Sequence, residues 1–191
     1  MIEFKKETGF FISKWSKPEI MNEYQKEGCS FCYIRFSYLH NSKIIMDDKF
    51  ESYIDIAKSL GFKVSPYIYI ADLDDDKPEM IRKCLDKLKK IDFDRDIPIS
   101  IGFENERRKI LDHNDFATIR NILQQVTNAG YDVVFSVPWF IFGTVYPIDE
   151  IEKYKIISIT DMDKLNYIYI SSNLYGVAIM DEKLEGLIHL Y

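Results

Sequence analysis

The sequence predicts an α/β fold: one TIM-like (β/α) barrel, irregular, with a helix-poor C-terminal part. Three observations predict it. Short apolar runs rich in Val, Ile, Phe and Tyr alternate with amphipathic stretches up to about residue 140, the pattern of parallel strands joined by helical crossovers. Glycines stand where helical periodicity stops, at Gly28, Gly61 and Gly130, as helix ends favour. Beyond residue 140 the apolar runs lie too close together to leave room for helices between them.

The elements follow in order. Thr8 to Ser13 reads as a strand closed by Lys14 and Trp15. Ser16-Lys-Pro-Glu19 has the form of a capping box, with Ser16 as cap and Pro18 in the first turn, for a helix running to Glu27. Ser30 to Phe36 is a second strand, followed by a polar loop from His40 to Lys43. Asp48 opens a helix with Phe50, Ile54, Ala57 and Leu60 near helical spacing. Lys63 to Ile70 is a third strand, and Asp76-Lys-Pro-Glu79 repeats the capping pattern for a helix through Leu88. A strand over 97–103, a helix from Asp115 to Ala129 and a strand from Asp132 to Val137 complete the alternating part. Lys155 to Thr160, Tyr167 to Ser171 and Gly186 to Leu190 are expected strands. With no linker, repeat or low-complexity stretch, residues 1–191 read as a single domain.

Composition narrows the function. A net charge of -6 and a pI near 5.2 argue against a nucleic-acid backbone as partner and against an anionic membrane surface. No segment has the apolar length of a signal peptide or a bilayer span, so membrane insertion is not expected. Synthesis in the cytoplasm follows, and reaching a cell wall would then need lysis or a non-classical route. Cys29, Cys32 and Cys84 are an odd set with no second Cys-x-x-Cys to complete a zinc site. Neither a metal nor a cofactor is expected: there is no glycine-rich phosphate loop, and the run from Asp72 to Asp76 lacks the ligand alternation of a calcium loop. The 13 Tyr, 13 Phe and 2 Trp either fill a ring-rich core or in part line a sugar-stacking groove.

In a strand–helix barrel the site lies at the carboxyl ends of the strands. Those ends carry Lys14 and Trp15, Arg35 to Tyr38, Tyr67, Tyr69 and Asp72, then Glu104, Asn105 and Glu106, then Ser136 and Trp139. His40, His113 and His189 each stand alone, and no Gly-x-Ser-x-Gly turn is present. Carboxylate chemistry over an aromatic floor is what remains, and it suits glycoside cleavage.

The motifs resemble the family 25 glycoside hydrolases, the Chalaropsis-type lysozymes or muramidases, over nearly the whole length. Gly9-Phe-Phe-Ile-Ser-Lys-Trp15 is similar to the family's opening Gly-Ile-Asp-Val-Ser-x-Trp, and Phe31-Cys-Tyr-Ile-Arg35 to its second strand. Pro98-Ile-Ser-Ile-Gly-Phe-Glu104 is similar to its signature Pro-x-x-x-Asp-x-Glu, and Gly130-Tyr131 to the Gly-Tyr before its next strand. The closing motifs correspond loosely to Tyr167-Ile-Tyr169 and Asp181-Glu-Lys183.

The resemblance implies a peptidoglycan or related glycan as partner, Glu104 as proton donor, and Asp181 at the last acidic position. It also marks two departures: Phe11 stands at the first acidic position, and Gly102 replaces the first acid of Asp-x-Glu. Glu106 shares the face of Glu104 if the strand continues; otherwise it belongs to a polar loop and pairs with Arg107 or Arg108. The implied site is therefore Glu104, Asp181 and Glu106 for chemistry, with Trp15, Arg35, Tyr67, Tyr69 and Trp139 around the sugar. Two functions remain open. One is a barrel with weak or lost hydrolysis that binds wall glycan or has been adapted to a protein partner. The other is an active N-acetylmuramidase using Glu104. An unrelated α/β barrel with chance matches is the third possibility.

Overall fold

The computed structural model describes residues 7–74, 76–103, 112–138, 154–161, 174–180 and 185–190. Its elements are β1 (Thr8–Ile12), α1 (Ile20–Lys26), β2 (Phe31–His40), β3 (Lys43–Met46), α2 (Phe50–Ser59), β4 (Lys63–Ile70), α3 (Lys77–Leu88), β5 (Ile99–Phe103), α4 (His113–Asn128), β6 (Val133–Pro138), β7 (Lys155–Asp161), β8 (Leu174–Met180) and β9 (Glu185–Leu190). The result is a mixed α/β fold built on one curled, largely parallel sheet. Strands β1, β2, β4, β5, β6, β7 and β8 pair in parallel in that order. β9 runs antiparallel to β8 and also pairs antiparallel with β1. β3 hangs from β2 as a hairpin and ends the sheet. The alternation read from the sequence is therefore present, and among the described residues only strands follow β6.

Several local expectations fail, each for a physical reason. Ser16 does not cap α1. Its N–H donates to Ser13 O at 2.9 Å and its hydroxyl accepts from Ser13 N at 3.4 Å, so residues 13–16 close a turn and the helix begins four residues later. Asp76 sits at the start of α3 without a side-chain cap bond, because its carboxylate accepts from Lys77 Nζ at 3.2 Å instead. At α2 the residue that receives the free N–H is Asp47, from Lys49 at 3.2 Å, rather than Asp48. A true capping box occurs at α4. Asp112 accepts from Asn114 N and Asp115 N, while the Asp115 carboxylate accepts from Asp112 N at 2.9 Å.

The loop expected from His40 to Lys43 is a two-residue hairpin turn. Asn41 and Ser42 take φ of 45° and 57°, and His40 pairs with Lys43. Both central residues are left-handed, the geometry that matches the twist of the flanking strands. β2 is accordingly longer than its apolar run implies.

Among the described residues, two hydrophobic clusters hold the fold. The larger lies between the helices and the outer face of the sheet, with Phe10, Met21, Tyr24, Phe36, Phe50, Ile81, Leu88, Ile122 and Phe135 among its buried members. Each such side chain contributes about 1.5–3 kcal/mol on burial. The smaller lies inside the curl: Phe31, Tyr33, Ile97, Val134, Ile157, Ile188 and Leu190, with Phe11, Tyr67 and Ile159 packed against it. Small residues on the same strands make room for these rings. Ser65 donates to Pro98 O at 3.1 Å, and Ser100 and Ser136 share a 2.7 Å bond, so their buried hydroxyls are satisfied. Gly9 is required for the same reason, since a β-carbon there would meet the Phe31 ring at 2.4 Å.

Cys29, Cys32 and Cys84 are free and buried. Burial pushes each thiol up from its ordinary value, which suits packing and not redox chemistry. Among the described residues no helix is long and apolar enough to cross a membrane, and no group of three His, Cys, Asp or Glu is placed to hold a metal ion.

Candidate functional site

A cavity of about 490 Å³ opens at the carboxyl ends of β1, β2 and β4, beside the β2–β3 hairpin. A bulge in β2 shapes it. The register shifts between Arg35 and Ser37, so that Arg35 pairs with Tyr67 and Tyr38 with Tyr69. Arg35 and Tyr38 thus both line the cavity although they are three residues apart, and Phe36 and Ser37 turn outward into the helix-side core. The rings of Tyr38 and Tyr69 lie 5.2 Å apart, and Met46 and Ile45 of β3 close one side.

Trp15 stands at the rim, 79% exposed, with Lys14 Nζ 5.2 Å from the centre of its indole. The turn that presents them is fixed by Asp47, at the end of the hairpin. Asp47 Oδ2 accepts the Lys14 backbone N–H at 2.8 Å and Arg35 Nε at 3.3 Å, and Lys49 Nζ donates to Lys14 O at 3.1 Å. Tyr53 Oη donates to Ser16 O at 2.7 Å and ties the same turn to α2. Asp47 was not singled out by the sequence, where attention falls on its neighbour Asp48. The signal that finds it is position: the last residue of a hairpin that leads into a helix.

Of the residues expected around a sugar, the cavity brings together Trp15, Arg35 and Tyr69. Tyr67 lies two residues further down the same strand, inside the curl, edge-on to Phe11 at 5.2 Å. Phe11 also stacks on Tyr33 at 5.1 Å. The position where the motif calls for an acid is thus part of an aromatic cluster beneath the cavity. Gly102 pairs with Tyr69 and with Ser136. A β-carbon added to Gly102 would meet nothing nearer than 3.9 Å, so neither crowding nor backbone conformation demands glycine there. Glu104, Glu106, Trp139 and Asp181 lie outside the described residues.

A second ionic cluster sits behind the cavity at the ends of β2 and β4. Lys77 is fully buried, with Nζ 2.6 Å from Asp72 Oδ1 and 3.2 Å from Asp76 Oδ1. Asp72 Oδ2 lies 3.2 Å from His40 Nδ1 and accepts the Asn41 N–H at 3.2 Å. The His40 ring stacks on Tyr38 at 5.6 Å, which links this cluster to the cavity wall.

No protein-family model matches the sequence, and no curated protein matches it. Solved structures do match the fold. The family 25 lysozyme of Aspergillus fumigatus superposes with a TM-score of 0.76 at 14% identity, over 97% of this chain and 93% of that one. The family 25 glycosyl hydrolase of Bacillus anthracis gives 0.75 at 14% identity, over 100% and 91%. The spore cortex lytic enzyme SleM of Clostridium perfringens gives 0.72 at 12% identity, over 97% and 67%. Identities this low speak to architecture, and the architecture agrees with the motif order read from the sequence: the chain has the fold of the family 25 lysozymes.

Proposed function

We propose that this chain is a glycan-binding barrel of the lysozyme type, directed at peptidoglycan or a related polymer, in which hydrolysis is weak or lost. The observation that carries the reading is Phe11. Its ring packs between Tyr33 and Tyr67 at the position where the resemblance places the first acid, and Gly102 removes a second. Cleavage of a glycoside needs one group to protonate the leaving oxygen and another to assist at the anomeric carbon. With two acidic positions vacated, Glu104 alone supplies the first role. The cavity, by contrast, retains what sugar binding uses: the exposed indole of Trp15, the Tyr38–Tyr69 pair and charged donors beside them. The finer architecture belongs to the same proposal: a complete though irregular barrel, which the pairing of β1 with both β2 and β9 supports.

A second reading is an active muramidase with Glu104 as acid and Asp181 or Glu106 assisting. Gly102 favours it, because the vacated position is open and not filled by a neighbouring side chain. One experiment separates the two. Purified peptidoglycan is incubated with the wild-type chain and with Glu104→Gln, and turbidity, soluble fragments and sedimentation with the wall are followed. The binding reading expects sedimentation of both proteins and no fragment release from either. Release that disappears in Glu104→Gln establishes the enzyme. Neither release nor sedimentation, with both proteins folded, removes the glycan reading.

A further inference from the structure

The β2–β3 hairpin leaves an unpaired edge on the sheet. β3 is its last strand and bonds to β2 alone. His40 and Lys43 close the two-residue turn, and the Asp47 N–H donates to Phe36 O at 3.0 Å, so the backbone groups of Lys43, Ile45 and Asp47 turn toward β2. Those of Ile44 and Met46 therefore turn outward, where no described strand pairs with them. Such an edge is a template for another chain, and proteins usually blunt it with charge. Here its centre carries Ile45, 42% exposed, and Trp15 stands on the rim of the same cavity. Among the described residues these two are the exposed large hydrophobic side chains, and both lie at this edge. Ile44 and Met46 pack on the helix-side core, so Ile45 stands on the other face of β3, paired with Tyr38 of β2.

We propose that β3 takes up an extended segment of a protein partner as an added strand, and that this segment carries an apolar residue with an acid two positions to either side. Charge selects the occupant. On a chain of net charge -6, the edge is bounded by lysines. Exposed Lys43 opens β3. Exposed Lys49 follows it, and its Nζ donates to the backbone O of Lys14 at 3.1 Å, so Lys14 and Lys49 share the other end. Asp47 is buried and paired with Arg35, which leaves Asp48 as the one exposed acid from residue 41 to 49. Side chains on a strand alternate faces with each residue. A segment whose apolar residue lies opposite Ile45 therefore brings one acid to Lys43 and the other to Lys14 and Lys49. The outward N–H and C=O groups of Ile44 and Met46 supply its main-chain bonds. A second copy of this chain fits less well. Paired edge to edge about a two-fold axis, each copy's Lys43 would meet the other's Lys14 and Lys49, on two molecules that each already carry -6.

The test is binding of the full chain to labelled heptapeptides with blocked ends, followed by fluorescence anisotropy and by amide hydrogen exchange. The acidic probe is Thr-Glu-Val-Val-Val-Glu-Thr, and its counterpart has lysine in place of each glutamate. The acidic peptide is expected to bind about tenfold tighter at low ionic strength, with the difference shrinking as salt is added. It should slow exchange of the Ile44 and Met46 amides, and change little at Lys43 and Ile45, which already face β2. Lys43→Glu should lower affinity for the acidic peptide about tenfold and raise it for the lysine peptide. Ile44→Pro removes an outward N–H that serves no bond within the sheet, so it too should weaken the acidic peptide by about tenfold. Lys43→Glu, a change at an exposed side chain, keeps the test decisive if Ile44→Pro fails to fold. Equal binding of the two peptides overturns the acidic partner. Binding without protection at Ile44 and Met46 overturns the added strand. No binding of either peptide to the folded chain overturns the surface altogether. A dimer in sedimentation velocity that Ile44→Pro dissolves assigns the edge to a second copy and overturns the partner. The peptide edge and the glycan reading stand or fall separately, since sedimentation with peptidoglycan tests the latter alone.

Discussion

Asp47 holds Arg35 by its Nε at 3.3 Å, and the same carboxylate oxygen accepts the backbone N–H of Lys14 at 2.8 Å. One buried acid therefore sets both the cation in the cavity wall and the turn that presents Trp15. Replacing it leaves Arg35 nearly buried without a counter-charge, and breaking a buried pair from one side costs about 3 kcal/mol. Asp47→Ala is accordingly expected to lower the urea midpoint clearly and to weaken sedimentation with peptidoglycan. Asp47→Asn, which still accepts the N–H groups, should lose less. The double change Asp47→Ala with Arg35→Met should recover part of the loss, because no lone charge remains. Urea titrations of the four proteins check this, and a loss below about 0.5 kcal/mol in Asp47→Ala, the size of an ordinary surface change, removes the clamp.

Phe11 cannot simply be turned back into an acid. Its ring stacks on Tyr33 and meets Tyr67 edge-on within the inner cluster. Truncating a packed ring costs about 3 kcal/mol, and placing a carboxylate among aromatic faces adds a desolvation penalty. Phe11→Asp is expected to be strongly destabilised or to fold poorly, while Phe11→Leu loses about 1 kcal/mol or slightly more. Thermal melts of the two variants settle the point. A Phe11→Asp protein as stable as wild type means that the cluster tolerates an acid and that its loss has a different origin.

The parts of the fold legible in the sequence were those governed by periodicity. β4 matches its expected bounds of Lys63 to Ile70, and Gly28, Gly61 and Gly130 follow their helices with φ between 82° and 85°. Capping chemistry was less legible, because a Ser or Asp at a helix start can bond backwards or to a neighbouring cation. Ser16 does the first and Asp76 the second. The β2–β3 hairpin was hidden because Asn41-Ser42 is a weaker turn signal than Asn-Gly, and because β3, Lys43–Met46, is only four residues long. That omission concealed Asp47 as well, since its role depends on where the hairpin delivers it. Trp15, Arg35, Tyr38 and Tyr69 were reachable from strand ends alone. The bulge that brings Tyr38 to the same wall leaves no mark in the residue types of Arg35 to Ser37.

Gly102 is the reversible departure. A β-carbon there has its nearest neighbours at 3.9–4.0 Å, in ordinary van der Waals contact. Gly102→Asp should therefore change stability by less than about 1 kcal/mol. If loss of this acid is what weakens hydrolysis, the variant should release soluble fragments from peptidoglycan faster than wild type, by at least about tenfold, since positioned acid or base groups contribute a hundredfold or more. The gain should vanish in Gly102→Asp combined with Glu104→Gln. A stable Gly102→Asp protein with no gain shows that the position Phe11 occupies is also indispensable.

The cluster around Lys77 makes a prediction about acid. Burial alone would push the Asp72 carboxyl up, but the Lys77 ammonium at 2.6 Å and the Asn41 N–H outweigh it and hold the group down at about 2. An unfolded aspartate titrates near 3.9. The folded value is the lower of the two, so the stabilisation is fully present above about pH 4 and is lost as pH falls from there through about 2. The contribution is on the order of 2 kcal/mol. Asp72→Asn should flatten that part of the acid-unfolding curve, and it should lower stability at pH 7 by leaving buried Lys77 with only the half-exposed Asp76 and Asp74, at 3.2 and 3.6 Å, as ionic partners among the described residues. Lys77→Met removes the cation that holds Asp72 down, so its acid transition should begin at a higher pH than in wild type. Because His40 joins Asp72 to Tyr38, the same two variants should also shift the Tyr38–Tyr69 wall and weaken glycan binding at neutral pH. Urea unfolding between pH 2 and 7, alongside wall sedimentation at pH 7, measures both effects. An Asp72→Asn curve parallel to wild type throughout the acid range contradicts the assignment.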